Sequence, residues 1–219
     1  MLLPLSSRHT IAKQYIAQFL PENPIIIEAG AHKGRDTLKM HALWPESTIH
    51  AFEPVPALYK QLKANTQHIS TIHCYPYALS NQNSLQPLYI SSGIDAVSSL
   101  LKPTDYFNSN PAITFTIHPV ETITLDKWAQ RYHITHIDFM WLDAQGHERE
   151  ILKGAGDLLK TLSALLTEIS VIERYHDNIP YHSLRPWLES HNFSLQAEAL
   201  GKKGWGNALF IKISQKRPL

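Results

Sequence analysis

The sequence contains only one cysteine, Cys74, so no disulfide bond can form within the chain. This absence excludes the disulfide-rich secreted folds and fits a reducing compartment. The sequence also lacks an excess of one charge, since 20 Lys and Arg face 19 Asp and Glu and the formal net charge is +1. A surface with so little net charge does not favour binding to nucleic acid or to an anionic membrane.

Long hydrophobic runs are absent as well. No stretch approaches the roughly 18 apolar residues that a membrane-spanning helix requires, and Pro4 interrupts the short apolar start of the sequence. We therefore expect a cytoplasmic protein without a signal peptide. The 13 histidines are scattered and have no thiolate partners, so their spacing gives no metal-ligand signature.

The 219 residues, 43% of them hydrophobic and 18% charged, fit one soluble domain with a full core. Short apolar runs alternate with segments of helical period, which predicts a doubly wound α/β fold with a mostly parallel sheet and an antiparallel last strand. The predicted strands are residues 25–29, 48–52, 72–77, 85–90, 113–117, 120–124, 137–142, 162–169, 193–197 and 207–213. The predicted helices are residues 10–20, 34–43, 56–64, 125–132, 148–159 and 180–191.

Residues 91–111 interrupt this alternation. The segment is rich in Ser, Asn, Asp and Pro and contains the aromatic residues Tyr106 and Phe107. A loop of this length in a compact domain is usually either functional or disordered. We favour a lid or substrate-binding loop, in which Tyr106 could stack on the face of a sugar.

Two acidic residues each end an apolar strand at positions suited to a nucleoside ligand. Glu28 ends the first strand and leads into a glycine loop with the spacing Glu28-x-Gly30-x-x-x-Gly34, and Glu53 ends the second strand. A glycine turn lets the backbone approach a ligand closely, and a carboxylate at the tip of the next strand can accept both ribose hydroxyls. The Gly-x-Gly-x-x-Gly spacing that usually meets a dinucleotide pyrophosphate is absent.

Several other segments follow the glycine loop in a characteristic order. They are residues 51–56 (AFEPVP), 77–80 (YALS), 124–126 (TLD), 137–148 (IDFMWLDAQGHE), 151–155 (ILKGA), Glu168, and 207–210 (NALF). Together they resemble the FkbM family of class I S-adenosylmethionine-dependent methyltransferases, over about residues 25–213. The resemblance implies one methyltransferase domain over residues 1–219, with an N-terminal helix within 1–24 and a seven-stranded Rossmann-like core over 25–213. It also implies methylation of hydroxyl groups on sugars and polyketide-type natural products.

The same resemblance implies a site for S-adenosylmethionine. Glu53 would hold the ribose, the residues after the third strand would meet the adenine ring, and the glycine loop would pack on the methionine part. Glu28 would attract the positive charge of the cofactor, or alternatively serve in helix capping. The implied cofactor-binding residues are Glu28, Gly30, Ala31, Gly34, Glu53, Pro54, Ala78, Leu79, Ser80 and Asp143.

Methyl transfer to a hydroxyl is helped by a base that takes the proton as the new bond forms. Asp143 and His147 are the candidate catalytic residues, although Asp143 could instead position the cofactor's amino group and His147 could be an ordinary hydrogen-bonded residue at a helix start. Glu168 and Gln145 are candidate substrate-binding residues, together with Tyr106. Gln145 stands where the family usually has glutamate, and glutamine cannot act as a base.

Other functions compete with an O-methyltransferase. A methyltransferase with a nitrogen or protein acceptor stays open, because the sequence does not fix the acceptor atom. A degenerate cofactor-binding scaffold gains some support from Gln145, and an NAD-dependent oxidoreductase is disfavoured by the glycine spacing. Asp143 and Glu168 leave a divalent metal open without forming a ligand signature, so we predict no metal residues. The expected partner is a small-molecule or carbohydrate acceptor, and the sequence gives no oligomeric state.

Overall fold

The computed structural model describes residues 11–213 of the chain. Strands and helices alternate through most of this part, as the apolar periodicity predicts. The strands are β1 (Ile25–Ala29), β2 (Thr48–Phe52), β3 (Ile72–Tyr75), β4 (Ala78–Leu79), β5 (Ser84–Ser91), β6 (Phe115–Ile123), β7 (Phe139–Leu142), β8 (Ala164–Ser170), β9 (Phe193–Leu200) and β10 (Trp205–Lys212). The helices are α1 (Lys13–Ile16), α2 (Arg35–Leu43), α3 (Pro56–Thr66), α4 (Leu125–Tyr132), α5 (Glu148–Lys153), α6 (Leu158–Thr161) and α7 (Tyr181–Ser190).

The main sheet has seven strands in the order β3-β2-β1-β7-β8-β10-β9. All neighbouring pairs are parallel except those of β10, which runs antiparallel to both β8 and β9. The prediction of a mostly parallel, doubly wound sheet with an antiparallel last strand is therefore confirmed. Because the strand order reverses beside β1, the carboxyl ends of β1, β2 and β7 form the edge where ligands bind in such sheets.

Strand β1 shows why the central strands are apolar throughout. Ile26 is fully buried on one face, in a cluster with Met40 of α2. Ile27 is fully buried on the other face, in a cluster with Trp128 of α4. A strand covered by helices on both faces has no solvent side, so its sequence shows no polar alternation.

The helix boundaries follow local sequence signals. Pro56 occupies the first turn of α3, where its missing N–H costs nothing. The Thr124 hydroxyl accepts a hydrogen bond from the backbone N–H of Lys127 and so caps α4. The helix predicted at 148–159 is split into α5 and α6, and Gly154 and Gly156 lie between them.

A second, three-stranded sheet was not predicted. It has the order β4-β6-β5, and β6 is one continuous strand where the sequence suggested two separate segments, 113–117 and 120–124. Pro119 lies inside β6 directly opposite Pro87 of β5, so the two residues without an N–H share one register position. Pro119 falls between the two predicted segments, but its pairing with Pro87 lets the strand continue.

The N-terminal helix is shorter than predicted. Residues 10–20 were expected to be helical, but α1 covers only Lys13–Ile16 and a single 3₁₀ turn, Ala17–Phe19, follows it. Thr10, the first residue of the predicted helix, lies outside the described residues. Within residues 11–213, no helix is long and apolar enough to cross a bilayer.

Candidate active site

A cavity opens at the carboxyl ends of β1, β2 and β7. Its walls include eight predicted site residues: Gly30, Glu53, Pro54, Ala78, Leu79, Asp143, Gln145 and His147. Apolar side chains such as Val55, Leu58, Leu88 and Ile151 also line it. The site therefore combines an apolar wall with a few acidic and polar groups, as small-molecule sites do.

Gly30 allows the glycine loop to pass directly against the end of β7. Its backbone has φ +84°, and a Cβ atom there would lie 2.1 Å from the carbonyl oxygen of Asp143. Gly34, with φ +83°, begins α2 and packs against the Leu62 side chain of α3. Ala31 is buried beside Leu62 as well. Gly34 and Ala31 do not line the cavity, whereas His32 of the same loop does.

Glu53 is held in place by the backbone of two loops. Its Oε2 accepts from the N–H of His32 at 2.8 Å, and its Oε1 accepts from the N–H of Val55 at 2.8 Å. The side chain is only 4% exposed, and burial raises the pKa of Glu53 to about 7. Each carboxylate oxygen keeps a lone pair beyond these bonds, so two hydroxyl groups could be bound in fixed geometry.

Glu28 lies next to the cavity without lining it. It is 1% exposed, and its Oε2 accepts from the hydroxyl of Thr37 in α2 at 2.5 Å. Burial raises the pKa of Glu28 to about 8. The contact ties β1 to the first turn of α2 through a hydroxyl and not through a backbone N–H, so it is not a helix cap. A contact with the cofactor's charge stays a prediction.

Asp143, Gln145 and Glu168 meet where β7 and β8 end. The side-chain NH₂ of Gln145 donates to Asp143 Oδ1 and to Glu168 Oε2, each at 2.7 Å. Burial raises the pKa of Asp143 and of Glu168, and Arg174 Nη1 lies 3.6 Å from Glu168 Oε1. The structure therefore places Asp143 on the cavity wall and connects it to Glu168 through Gln145.

His147 precedes α5 and faces Ser80. Its Nε2 lies 3.0 Å from the Ser80 hydroxyl, whereas its Nδ1 is buried without a hydrogen-bond partner. Burial lowers the pKa of His147 to about 4, so the imidazole is neutral at physiological pH. Ser80 is buried behind Leu79 and does not line the cavity itself.

The predicted lid segment covers part of the cavity. Residues 95–100 contribute to its wall, and Asp95 is held by Lys33 Nζ at 2.6 Å and by His32 Nε2 at 3.0 Å. These interactions hold the pKa of Asp95 below its usual value. Tyr106 is 41% exposed, packs on Phe107 and does not line the cavity, so its contact with substrate stays a prediction.

Two functional candidates, Asp95 and Arg174, were missed by the sequence analysis. Asp95 carries no motif of its own, and only the polar composition of its loop marks it. Arg174 and Tyr175 follow β8, and their side chains contact Gln145 at 3.2 and 3.1 Å. Within residues 11–213, no group of three or more His, Cys, Asp or Glu side chains is arranged to hold a metal ion.

The buried Glu28 predicts a pH-dependent stability. The folded protein keeps the proton on Glu28 up to about pH 8, whereas an unfolded glutamate loses it near pH 4.3. Unfolding therefore releases a proton from Glu28 between these values, and this group alone should cost the wild type up to about 1.4 kcal/mol of stability per pH unit as pH rises. Glu28→Gln should show a flatter curve in denaturant titrations at several pH values.

The matched control is Glu46→Gln, which changes an exposed glutamate. We expect its stability curve to follow that of the wild type. Parallel curves for Glu28→Gln and the wild type would contradict the assignment of a raised pKa to Glu28.

Comparison with known proteins gives one family and several relatives. The model of the methyltransferase FkbM domain matches residues 28–195. The 2-O-methyltransferase NoeI of Sinorhizobium fredii is 25% identical over 195 residues, which cover 86% of this chain and 79% of NoeI. Methyltransferase 1 of Beauveria bassiana is 23% identical over 201 residues, with coverage of 86% and 79%.

Solved structures share the fold at low sequence identity. An rRNA methylase from Streptococcus thermophilus superposes with a TM-score of 0.54 and 11% identity, covering 96% of this chain and 99% of the methylase. The fibrillarin of Aeropyrum pernix, determined with natively bound S-adenosyl-L-methionine, gives a TM-score of 0.51 and 12% identity, with coverage of 88% and 69%. These likenesses concern the Rossmann-like methyltransferase fold alone.

Proposed function

Because this chain belongs to the FkbM methyltransferase family, we propose that it transfers a methyl group to a hydroxyl oxygen of a sugar or another small hydroxylated metabolite. The family match over residues 28–195 and the methyltransferase relatives make the chain an S-adenosylmethionine-dependent methyltransferase. The class of acceptor and the roles of individual residues are the proposal.

The observation that carries the proposal is the fixed carboxylate of Glu53. Two backbone N–H groups hold it at the tip of β2, in the same cavity as Gly30 and Asp143. A carboxylate accepts hydrogen bonds and donates none, so Glu53 suits the two ribose hydroxyls of S-adenosylmethionine. Apolar residues beside it, Val55 and Leu79, suit the adenine ring. The residues present therefore fit the cofactor.

When bound, the cofactor supplies an electrophilic methyl group on a sulfonium sulfur, which is a good leaving group. The protein's part is to align the acceptor, exclude water and receive a proton. We assign the methyl-bearing end of the cofactor to the Asp143 side of the cavity. Asp143 lies against Gly30, in the loop that would meet the methionine part of the cofactor. Its raised pKa, caused by burial, makes Asp143 a better proton acceptor than an exposed carboxylate.

We place His147 on the adenine side, because it contacts Ser80 next to Leu79. Its free Nδ1 could then meet a polar edge of the ring. His147 remains the alternative base. In the tautomer where Nε2–H donates to Ser80, the Nδ1 lone pair is free to take a proton.

An oxygen acceptor is favoured over nitrogen by two considerations. A hydroxyl group needs a base during methyl transfer, and the cavity offers a buried carboxylate at the reacting end. The relative NoeI is named for transfer to an oxygen at position 2.

The test is incubation with S-adenosylmethionine labelled in its methyl group and matched panels of hydroxylated sugars and primary amines. We expect label on hydroxyl oxygens, located by fragmentation in a mass spectrometer, and loss of transfer in Glu53→Ala. Label found only on amines or on added proteins would contradict the proposed acceptor class while leaving the methyltransferase activity intact.

A further inference from the structure

The carboxamide of Gln145 sits at the centre of a buried polar cluster. Both hydrogens of its NH₂ group are used, since Nε2 donates at 2.7 Å to Asp143 and at 2.7 Å to Glu168. Its Oε1 accepts from Arg174 Nη2 at 3.2 Å and from the Tyr175 hydroxyl at 3.1 Å. The two carboxylates can only accept from the NH₂ group, and the Arg174 guanidinium can only donate to the oxygen. These partners fix the orientation of the amide.

The cluster contains more negative than positive groups. The acids are Asp143 after the end of β7, Glu168 on β8 and Glu148 on α5. Asp143 raises the pKa of Glu148 and of Glu168, and Glu148 raises that of Glu168. Arg174 is the cation in direct contact with the cluster. Two buried carboxylates that share a site normally take up a proton or bind a cation. Here, the NH₂ group of Gln145 occupies the position between Asp143 and Glu168.

Gln145 is itself fixed from the opposite side. Its backbone has φ +52°, and its carbonyl oxygen accepts from the Ser99 hydroxyl at 2.9 Å. The Tyr175 hydroxyl shares its one hydrogen between Gln145 Oε1 and the carbonyl of Val97, which lies at 2.8 Å. These bonds join Gln145 to the 91–111 segment that covers the cavity. A change at this position therefore reaches both the cavity wall and its cover.

We propose that Gln145 is a positioning residue that replaces a bridging cation, so that Asp143 and Glu168 are held together and the enzyme works without a divalent metal. Gln145 binds Oδ1 of Asp143, and Asp143 itself lines the cavity. The catalytic part of this inference rests on the proposed function, but the cation replacement does not. A glutamate at position 145 would put a third carboxylate between two others, and the cluster would then require a proton or a metal ion.

The test is Gln145→Glu, which exchanges only the NH₂ group for a charged oxygen. Its melting temperature should fall by roughly 5 °C relative to the wild type as pH rises from about 6 to 8, and Mn²⁺ should restore it. The wild type should be unaffected by Mn²⁺ or by EDTA. Gln145→Leu, which removes the NH₂ group without adding a charge, should lose stability as well, because it leaves Asp143 and Glu168 unbridged.

Methyl transfer gives the second readout. Wild-type transfer should be unchanged in EDTA, whereas Gln145→Glu should need Mn²⁺ or low pH. Loss of wild-type transfer in EDTA, or a Gln145→Glu protein with wild-type pH dependence and no Mn²⁺ response, would overturn the inference. If no methyl transfer is found with any acceptor, the melting temperatures still test the cation replacement separately from the proposed function.

Discussion

Replacement of Gly30 by alanine is expected to destabilise the protein by about 3 kcal/mol and to abolish cofactor binding. The new Cβ atom would lie 2.1 Å from the backbone oxygen of Asp143, far inside van der Waals contact. Neither strand can move away easily, because the Gly30 N–H is bonded to Phe52 and the Asp143 N–H to Ala29. Relieving this clash would displace the end of β7, where Asp143 forms part of the cavity wall.

Gly34→Ala is the matched control for this change. Gly34 has nearly the same φ, +83°, but its Cβ would meet the end of the Leu62 side chain at 2.9 Å, and that side chain can rotate. We expect Gly34→Ala to lose about 1 kcal/mol of folding stability, caused by the left-handed backbone alone, and to retain cofactor binding. Chemical denaturation would measure both values. An equal loss of folding stability in the two alanine variants would contradict the close contact between Gly30 and the Asp143 carbonyl oxygen.

Replacement of Glu53 by alanine is expected to weaken binding of S-adenosylhomocysteine about 100-fold, or by about 2.7 kcal/mol. The variant loses an ionised acceptor for two hydroxyl groups, and it leaves the N–H groups of His32 and Val55 without their partner. Because burial raises the pKa of Glu53 to about 7, the ionised form is incomplete at neutral pH. Wild-type affinity should therefore rise between pH 6 and pH 8, and the variant should lose this dependence.

Asp36→Ala separates the effect of the site from that of charge. It removes the same charge from α2, outside the cavity, where Asp36 pairs with Lys13 and Lys39. Calorimetric titration should give it nearly wild-type affinity. A similar loss of affinity in both variants would mean that Glu53 acts through general electrostatics rather than through contact with the ligand.

The fold was largely predictable because its central strands are strongly apolar and bounded by proline and glycine. Strands β1 and β2 lie at the predicted residues, and the antiparallel β10 follows as expected. The sheet formed by β4, β5 and β6 was missed because pairing between distant segments leaves no local pattern. Pro119 falls between the two segments predicted there, and its partner Pro87 likewise has no N–H.

The site was predictable where a strand end supplies the residue. Glu53, Asp143 and His147 reach one cavity because parallel strands end at the same edge of the sheet. The roles of Asp95 and Arg174 depend on contacts across 62 and 29 residues of sequence, which periodicity does not report. Gln145 was noticed as a departure from the family, but its bridging contacts became visible only in three dimensions.

The most direct test of the central claim is calorimetric titration of the folded wild-type protein with S-adenosylhomocysteine, and in parallel with NAD⁺. A methyltransferase that binds its cofactor between Gly30, Glu53 and Asp143 should bind S-adenosylhomocysteine with micromolar affinity and should not bind NAD⁺. Binding of NAD⁺ in its place, or no binding of S-adenosylhomocysteine by the folded protein, would contradict the account.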